Sequence, residues 1–264
     1  VLTQGRLLGR LPEHHGAILC LDRDRPEILS DSRNNPGARV HSTDSAYVIY
    51  TSGSTGTPKA VVATHRACMN RFAWMWRTYP FAPEEICAQR TSLSFVDSVW
   101  EIFGPLLQGV PIAIISDECV RSPEEVVWNL RAHRASRVVV VPSLLESLLE
   151  FGPDLQTHLP DLRFCVSSGE ALSYGLYERF RTALPQVTLL NLYGSSEVAA
   201  DVTCFDTNRD EPLGVVPIGR PIANVRAYLL DKHENPVPIG VPGEICIGGD
   251  CLALGYLNQP ELTA

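Results

Sequence analysis

The chain has 264 residues and 45% hydrophobic content, which is enough for a sizeable buried core. Its 22 basic and 30 acidic residues give a formal net charge of −8, which disfavours a general nucleic-acid or anionic-membrane surface. It contains no apolar run long enough to span a membrane, and its eight cysteines form no Cys-x-x-Cys pair, which favours reduced core thiols in a cytoplasmic protein.

Short apolar runs alternate along the chain with segments of helical periodicity. This alternation predicts an α/β fold of layered, largely parallel sheets flanked by helices. A strand is predicted at Arg137–Val141, because its continuous β-branched run 138–141 is typical of a parallel strand covered on both faces. Ser122-Pro-Glu-Glu125 is a capping box that predicts a helix through about His133. The other predicted strands are 46–50, 111–115, 162–167, 188–192, 225–230 and 243–248, and the other predicted helices are 143–151 and 174–183.

The composition changes past about residue 205, where prolines and glycines become frequent. We therefore predict an α/β core over residues 1–205 and a smaller β-rich subdomain over 206–264, which would be the start of a barrel. Val1 is not typical of a native start, and the chain stops at Ala264 without a closing element. We expect a segment of a longer protein.

The segment Tyr50–Lys59 places glycines, hydroxyl side chains and a lysine between two apolar runs. Glycines let a backbone turn sharply and expose its N–H groups, and successive N–H groups form an anion-binding concavity. Only two residues separate Gly53 from Gly56, so this is not a Walker loop, which needs four. The pattern predicts a polyphosphate site, with the candidate ligands Thr51, Ser52, Gly53, Ser54, Thr55, Gly56 and Lys59.

A second polar segment, Asn191-Leu-Tyr-Gly-Ser-Ser-Glu197, follows directly on an apolar strand. Open α/β sheets bind their ligands where strands end in this way. Tyr193 offers a flat face for a base, Ser196 a hydroxyl for a phosphate oxygen, and Glu197 a hard oxygen ligand for Mg²⁺.

The loop at 50–59 resembles the signature phosphate loop of adenylate-forming (AMP-binding) enzymes, which include acyl-CoA synthetases, luciferases and the adenylation domains of nonribosomal peptide synthetases. Further segments resemble other motifs of this family, and they follow one another along the chain in the same order as in the family. Residues 191–197 resemble Asn-x-Tyr-Gly-Pro-Thr-Glu, residues 168–171 resemble Gly-Gly-Glu-Ala, and residues 243–256 resemble Gly-Glu-Leu-x-Ile-Gly-Gly followed by Ala-Arg-Gly-Tyr. The chain departs from these patterns at Ala60, Ser168, Ser195 and Leu254.

The resemblance implies that ATP and Mg²⁺ activate a carboxylic acid as an acyl-adenylate. It implies catalytic roles for Lys59, Ser196 and Glu197, with Glu197 as the magnesium ligand. The acceptor would be the phosphopantetheine thiol of a partner carrier domain, beside other synthetase modules. The family's domain extends beyond both ends of this chain, so the chain alone is not expected to turn over efficiently. The adenine-binding residues it implies are Gly169, Glu170, Ala171, Asn191 and Tyr193.

The segment Phe95-Val-Asp-Ser-Val-Trp100 bears on the choice of acid. In family members that take α-amino acids the usual form is Phe-Asp-x-Ser-Val-Trp, and that aspartate pairs with the α-ammonium group. Here Val96 stands at that position and Asp97 follows one residue later. Removing one partner of a buried ion pair costs about 3–5 kcal/mol, so a shifted carboxylate favours a shifted amine. The simplest such substrate is a β-amino acid.

Aligning the motifs gives a set of substrate-pocket positions that resembles pockets assigned to β-alanine in peptide synthetases and β-alanyl-amine synthetases. Trp100 would be the floor, and Asp201 could give the ammonium group a second carboxylate. The pocket positions are Phe95, Val96, Asp97, Trp100, Val140, Val166, Ser168, Leu192, Ala200 and Asp201.

Alternatives remain open at this point. Asp97 could instead be the N-cap of the helix that follows it, since aspartate is favoured there. The substrate could be a small α-amino acid, or the protein an acyl-CoA ligase, although Phe95 and the acidic pocket argue against an unsubstituted fatty acid. A non-catalytic nucleotide-binding scaffold would account for the departures from the family motifs.

Overall fold

The computed structural model describes residues 1–52, 56–120, 122–152 and 154–264. The chain divides into two units, Val1–Val40 and His41–Ala264. The first unit contains a parallel pair of short strands, a 3-10 helix and one α-helix: β1 (Leu2–Thr3), the 3-10 helix Gly5–Arg10, β2 (Leu19–Cys20) and α1 (Arg25–Ser30). The predicted boundary between residues 205 and 206 stays a prediction.

The second unit is built around a mostly parallel sheet. Its strands are β3 (Ser45–Thr51), β4 (Lys59–Thr64), β5 (Cys87–Gln89), β6 (Ile112–Ile114), β7 (Arg137–Val140), β8 (Phe164–Ser167), β9 (Thr188–Ser195), β10 (Ala200–Asp206), β11 (Arg220–Pro221), β12 (Val225–Leu230), β13 (Glu244–Gly249) and β14 (Gly255–Tyr256). The central sheet has the order β11-β10-β9-β8-β7-β5-β6. Strands β5 to β9 run parallel, whereas β10 and β11 continue the sheet in antiparallel fashion.

The remaining strands of the second unit form two smaller antiparallel sheets. Strands β3, β4 and β14 form one of them, in which Tyr256 pairs with Val61 and Thr51 pairs with Lys59. Strands β12 and β13 form a hairpin with Val225 opposite Gly249. The segment 206–264 therefore contributes strands to all three sheets of this unit.

Helices cover both faces of the central sheet. The helices of this unit are α2 (His65–Thr78), α3 (Asp97–Leu106), α4 (Asp117–Val120), α5 (Pro123–Ala132), α6 (Pro142–Leu149), α7 (Leu155–His158), α8 (Tyr174–Ala183) and α9 (Pro260–Thr263), with a 3-10 turn at Ser196–Val198. One core cluster packs α5, α6 and α8 on the sheet, and a second packs α2 and α3 on its other face. The predicted α/β fold with a largely parallel, helix-covered sheet is confirmed.

Several predicted elements agree closely with the structure. Helix α8 has the predicted bounds, and Ser122 caps α5 by accepting a hydrogen bond from the Glu125 amide at 3.4 Å. Strand β9 extends past its predicted end at 192 because it pairs with β10 as far as Ser195. The sequence analysis missed β5 and β10, since neither contains a long apolar run.

No helix in the described part of the chain combines the length and the apolar character that a membrane crossing requires. All eight cysteines are free thiols.

Candidate active site

The candidate site lies where the parallel strands end. Asp97 follows β5, Ser168 follows β8, and Tyr193 lies near the end of β9. The carboxyl ends of parallel strands meet at one edge of a sheet, and this edge is the usual binding site in open α/β folds. The motifs recognised in the sequence therefore converge on one side of the second unit.

Three distant segments bring Lys59, Glu197 and Tyr256 together. Lys59 opens β4, and Tyr256 lies on β14, which pairs with β4. The Lys59 Nζ atom lies 5.5 Å from the centre of the Tyr256 ring, and the Tyr256 hydroxyl donates a hydrogen bond to Glu197 Oε1 at 2.8 Å. Tyr256 entered the sequence analysis only as part of a motif, without a role. Its pairing with β4 is what places it here.

Glu197 is held as an ionised carboxylate. Partial burial by itself would raise its pKa, but the hydrogen bond from Tyr256 and the positive charge of Lys59 lower the pKa below its usual value. An ionised carboxylate at a partly open position is a hard oxygen ligand of the kind that Mg²⁺ prefers. Among the described residues, no group of three or more His, Cys, Asp or Glu side chains could hold a metal ion. Glu197 thus fits a magnesium ion that takes its remaining ligands from elsewhere.

The predicted phosphate loop joins β3 to β4. Thr51 ends β3, Ser52 is exposed, and Gly56 is exposed with a φ of +81°, a conformation that favours glycine. The predicted ligands Gly53, Ser54 and Thr55 lie outside the described residues. The phosphate-binding role of the whole loop stays a prediction.

The predicted adenine-binding residues have different surroundings. Tyr193 is 38% exposed, so its ring could stack on a base, and Gly169 and Ala171 are exposed at the turn after β8. Glu170 uses both carboxylate oxygens to accept hydrogen bonds from the Ser143 amide and hydroxyl at 3.0 Å, so its side chain caps α6. Asn191 is buried, and its amide donates to the Pro217 carbonyl at 2.8 Å. The side chains of Glu170 and Asn191 therefore already bond within the protein.

Three of the seven predicted apolar pocket positions share one core cluster. Trp100, Val166 and Leu192 belong to the cluster beneath α2 and α3. Val140 packs in the cluster on the opposite face of the sheet, whereas its neighbour Val139 lies with Trp100. The structure does not bring Val140 to the other pocket residues.

The Trp100 ring has a fixed place in this cluster. A Cβ atom at Gly104, one turn further along α3, would overlap the Trp100 ring, so glycine is required there. The Trp76 indole donates to the Gly104 carbonyl at 2.8 Å. Two other predicted pocket positions lie outside this cluster. Phe95 is 65% exposed, and Ala200 is buried with a φ of +79°.

Asp97 is the first residue of α3 and does not cap it. The N-cap is Val96, which has no side-chain hydrogen bond, so the N-cap alternative for Asp97 is wrong. No hydrogen bond to the Asp97 carboxylate is found among the described residues. Removal from water, together with repulsion from Asp201 and Glu101, raises the pKa of Asp97 to about 7, and Arg71 only partly offsets this.

Asp201 is already paired within the protein. Its Oδ2 atom accepts hydrogen bonds from Arg71 Nε at 2.9 Å and Nη2 at 2.6 Å, and its Oδ1 atom accepts one from the Ser168 hydroxyl at 3.1 Å. Asp201 is 1% exposed. This differs from the expectation that Asp201 offers the substrate a second carboxylate.

Arg71 is the residue of this site that the sequence analysis missed. It lies on the inward face of α2 among apolar residues such as Phe72 and Met75. Arginine is almost never fully buried without a partner, so its position on that face was the available signal. The partner itself, Asp201, could not be read from the sequence.

The mostly parallel sheet, with polar side chains at its carboxyl edge, defines an α/β protein of the type that binds ligands at that edge. The chain belongs to the AMP-binding enzyme family, whose family model matches residues 6–257. The resemblance seen in the motifs is confirmed.

The relatives found by sequence include a tripeptide synthetase and other synthases. The chain is 40% identical to phosphinothricin tripeptide synthetase PhsB of Streptomyces viridochromogenes, covering 100% of this chain and 22% of that protein. It is 38% identical to tyrocidine synthase 3 of Brevibacillus parabrevis, covering 100% of this chain and 4% of that protein. The chain thus spans less than a quarter of the length of either relative.

Solved structures give the same family. The AMPPNP-bound form of the nonribosomal peptide synthetase FmoA3 matches with a TM-score of 0.87 at 30% identity, over 100% of this chain and 28% of that one. PA1221, a synthetase protein containing adenylation and PCP domains, matches with a TM-score of 0.76 at 28% identity, over 88% of this chain and 46% of that one.

Proposed function

We propose that the protein containing this chain activates β-alanine, or another small β-amino acid, as an aminoacyl-adenylate. The acyl group then passes to the phosphopantetheine thiol of a carrier domain. The observation that carries the proposal is the Asp97 carboxylate, which lies one residue later than in the α-amino-acid pattern and has no partner among the described residues.

A carboxylate that is largely removed from water is stabilised in its charged form by a nearby cation. Burial penalises the charged form, which is why the pKa of Asp97 is raised to about 7. A substrate ammonium group next to Asp97 would supply the missing opposite charge and restore the carboxylate form. An unsubstituted fatty acid brings no such charge, which disfavours that class of substrate.

The first half-reaction uses ATP as the co-substrate. An oxygen of the substrate carboxylate attacks the α-phosphorus, the bond from that phosphorus to the bridging oxygen breaks, and pyrophosphate leaves. Lys59 would stabilise the negative charge that builds up on the phosphates, and Ser196 would donate to an α-phosphate oxygen. Magnesium, held by the ionised Glu197, would neutralise phosphate charge. The AMPPNP named for FmoA3 supports a nucleotide at this edge.

The second half-reaction releases AMP. The thiol loses its proton to solvent, the sulfur attacks the acyl carbonyl carbon, the carbon–oxygen bond to the phosphate breaks, and AMP leaves with that bond's electron pair as a thioester forms. A carrier domain as the partner is supported by PA1221, which contains adenylation and PCP domains, and further synthetase modules by the length of the relatives. A cytoplasmic location is also a proposal, supported by the eight free thiols.

The direct test is amino-acid-dependent ATP–pyrophosphate exchange in the full-length protein. The panel is β-alanine, glycine, L-alanine, larger amino acids and a simple fatty acid. We expect the strongest exchange with β-alanine. Preferred exchange with glycine or L-alanine would retain the enzyme and overturn the choice of a β-amino acid. A folded protein that binds ATP but exchanges with none of these acids would be the non-catalytic scaffold.

The charge of Asp97 predicts a pH dependence. Because its pKa is raised to about 7, Asp97 becomes neutral as the pH falls below that value, and a neutral group cannot pair with an ammonium ion. The KM for β-alanine should therefore rise by about tenfold for each pH unit below 7 and level off above it. The groups acting on Asp97 are Asp201, Glu101, Arg71 and Arg90.

The KM for ATP, measured over the same pH range, is the control for a general loss of activity. A β-alanine KM that stays constant between pH 8 and pH 5.5 would contradict the prediction.

A further inference from the structure

Arg71 reaches the substrate region from the helix α2, outside every motif of the sequence analysis. Its guanidinium group lies 4.9 Å from the centre of the Trp100 ring and 5.2 Å from that of Trp74. It also lines a small cavity together with Val96 and Ala200, which are two of the predicted pocket positions. Arg71 is therefore a wall of the proposed pocket as well as the partner of Asp201.

The acidic groups near Asp97 are occupied by other partners. Asp201 pairs with Arg71 and accepts from Ser168. Glu101 is buried and accepts hydrogen bonds from the Arg90 and Thr91 amides and from the Thr91 hydroxyl. Within the described part of the chain, this leaves Asp97 as the carboxylate of the pocket with no bonded partner.

Arg71 differs from the other deeply buried arginine, Arg137. Every guanidinium nitrogen of Arg137 donates a hydrogen bond, to Glu85 or to the Tyr79 and Pro80 carbonyls. By contrast, the buried Nη1 atom of Arg71 has no hydrogen-bond partner among the described residues. A buried arginine kept only for stability is expected to be fully satisfied, as Arg137 is. This incomplete bonding distinguishes Arg71 from Arg137.

We infer that Arg71 is a specificity-determining residue of this site: it holds Asp201 as a neutral internal pair, so that the pocket presents one carboxylate, Asp97, to one substrate ammonium group. This inference rests on the proposed function. Without its counter-ion, the Arg71 cation would compete with the ammonium group for Asp97. Arg71 acts through Asp201 and Asp97, so it is a positioning residue.

The test compares Asp201→Asn with the double variant Arg71→Leu/Asp201→Asn in the full-length protein. The single variant leaves the Arg71 cation uncompensated beside the ammonium site. Because a like charge next to an ammonium group costs several kcal/mol, its KM for β-alanine should rise on the order of 100-fold, with the KM for ATP unchanged. Removing the cation as well should return the β-alanine KM to within about tenfold of the wild-type value.

A purely structural role would instead lower the unfolding temperature of the single variant and move its KM values for β-alanine and ATP together, and the double variant would restore them together because no unpaired buried ion remains. The inferred role raises the KM for β-alanine alone. Asp161→Asn is the matched control: it breaks the exposed ion pair with Arg134, and the KM should stay at the wild-type value. Thermal unfolding of each variant shows whether it is folded. If Asp201→Asn does not fold, the double variant decides alone: a folded double variant with near-wild-type exchange supports the inference, and one without exchange overturns it.

A wild-type β-alanine KM in Asp201→Asn, or a double variant no better than the single one, overturns the role of Arg71 and leaves the proposed function standing. The wild-type protein is assayed first with the amino-acid panel. If it prefers an α-amino acid, the same variants are assayed with that acid, which also carries one ammonium group. If it exchanges with no amino acid, both the proposed function and the inference fail.

Discussion

Replacing Asp97 with asparagine is expected to raise the KM for β-alanine by roughly 100- to 4000-fold. Asparagine keeps the shape of the side chain at the start of α3 but removes its negative charge. Leaving a buried ammonium group without its carboxylate costs about 3–5 kcal/mol, and each 1.4 kcal/mol is a factor of ten in affinity. The measurement is ATP–pyrophosphate exchange at pH 8, where the wild-type Asp97 is ionised.

Asp210→Asn is a suitable control for this prediction, because Asp210 is exposed and lies beyond the end of β10, away from Ala200 at the start of that strand. It should leave the KM for β-alanine unchanged, and neither variant should change the KM for ATP. An Asp97→Asn protein with a β-alanine KM within about threefold of the wild-type value would show that the ammonium group has another partner.

The second large effect concerns stability. Replacing Arg137 with leucine is expected to lower the free energy of unfolding by about 3–5 kcal/mol, because it leaves Glu85 as a buried carboxylate without its cation. Arg137 Nε donates to Glu85 Oε2 at 2.5 Å, and the guanidinium group lies 4.2 and 4.4 Å from the centres of the Phe81 and Phe164 rings. Urea-induced unfolding, followed by circular dichroism, measures the change.

Two further variants separate charge from packing. Glu85→Leu/Arg137→Leu removes both charges and should be clearly more stable than Arg137→Leu alone, since no unpaired ion remains. Arg179→Leu breaks the exposed pair with Glu146 and should cost at most about 1 kcal/mol. Equal losses for Arg137→Leu and Arg179→Leu would contradict the prediction.

Local sequence patterns were enough to predict most of the fold and the family. The β-branched run at 138–141 predicted a fully buried strand, and all four residues of β7 are buried. The helix at 174–183 was predicted from its periodicity, and its inward positions Leu176, Tyr177 and Phe180 are buried. The phosphate-loop motif was sufficient to indicate the family because its glycines, hydroxyls and lysine are adjacent in the chain.

The contacts that tune the site could not be predicted, because they join residues far apart in sequence. Nothing local links Arg71 to Asp201, and their hydrogen bonds occupy the carboxylate that the sequence analysis assigned to the substrate. The role of Tyr256 depends in the same way on the pairing of β14 with β4. The side-chain hydrogen bonds of Asn191 and Glu170 could not be predicted either, since a motif gives the residue types but not the atoms through which they form contacts.

The pairing of β14 with β4 also has a kinetic consequence. The amides of Leu254 and Leu257 donate to the Val62 and Ala60 carbonyls at 2.8 Å, closing a loop that includes nearly the whole second unit. Loop closure costs more entropy as the loop lengthens, so this contact should form late in folding and open early in local unfolding. Lys59 and Glu197 then meet Tyr256 only in the fully folded chain. Hydrogen exchange at these two amides therefore reports the assembly of the site, and a ligand that bridges Lys59 and Glu197 should slow that exchange.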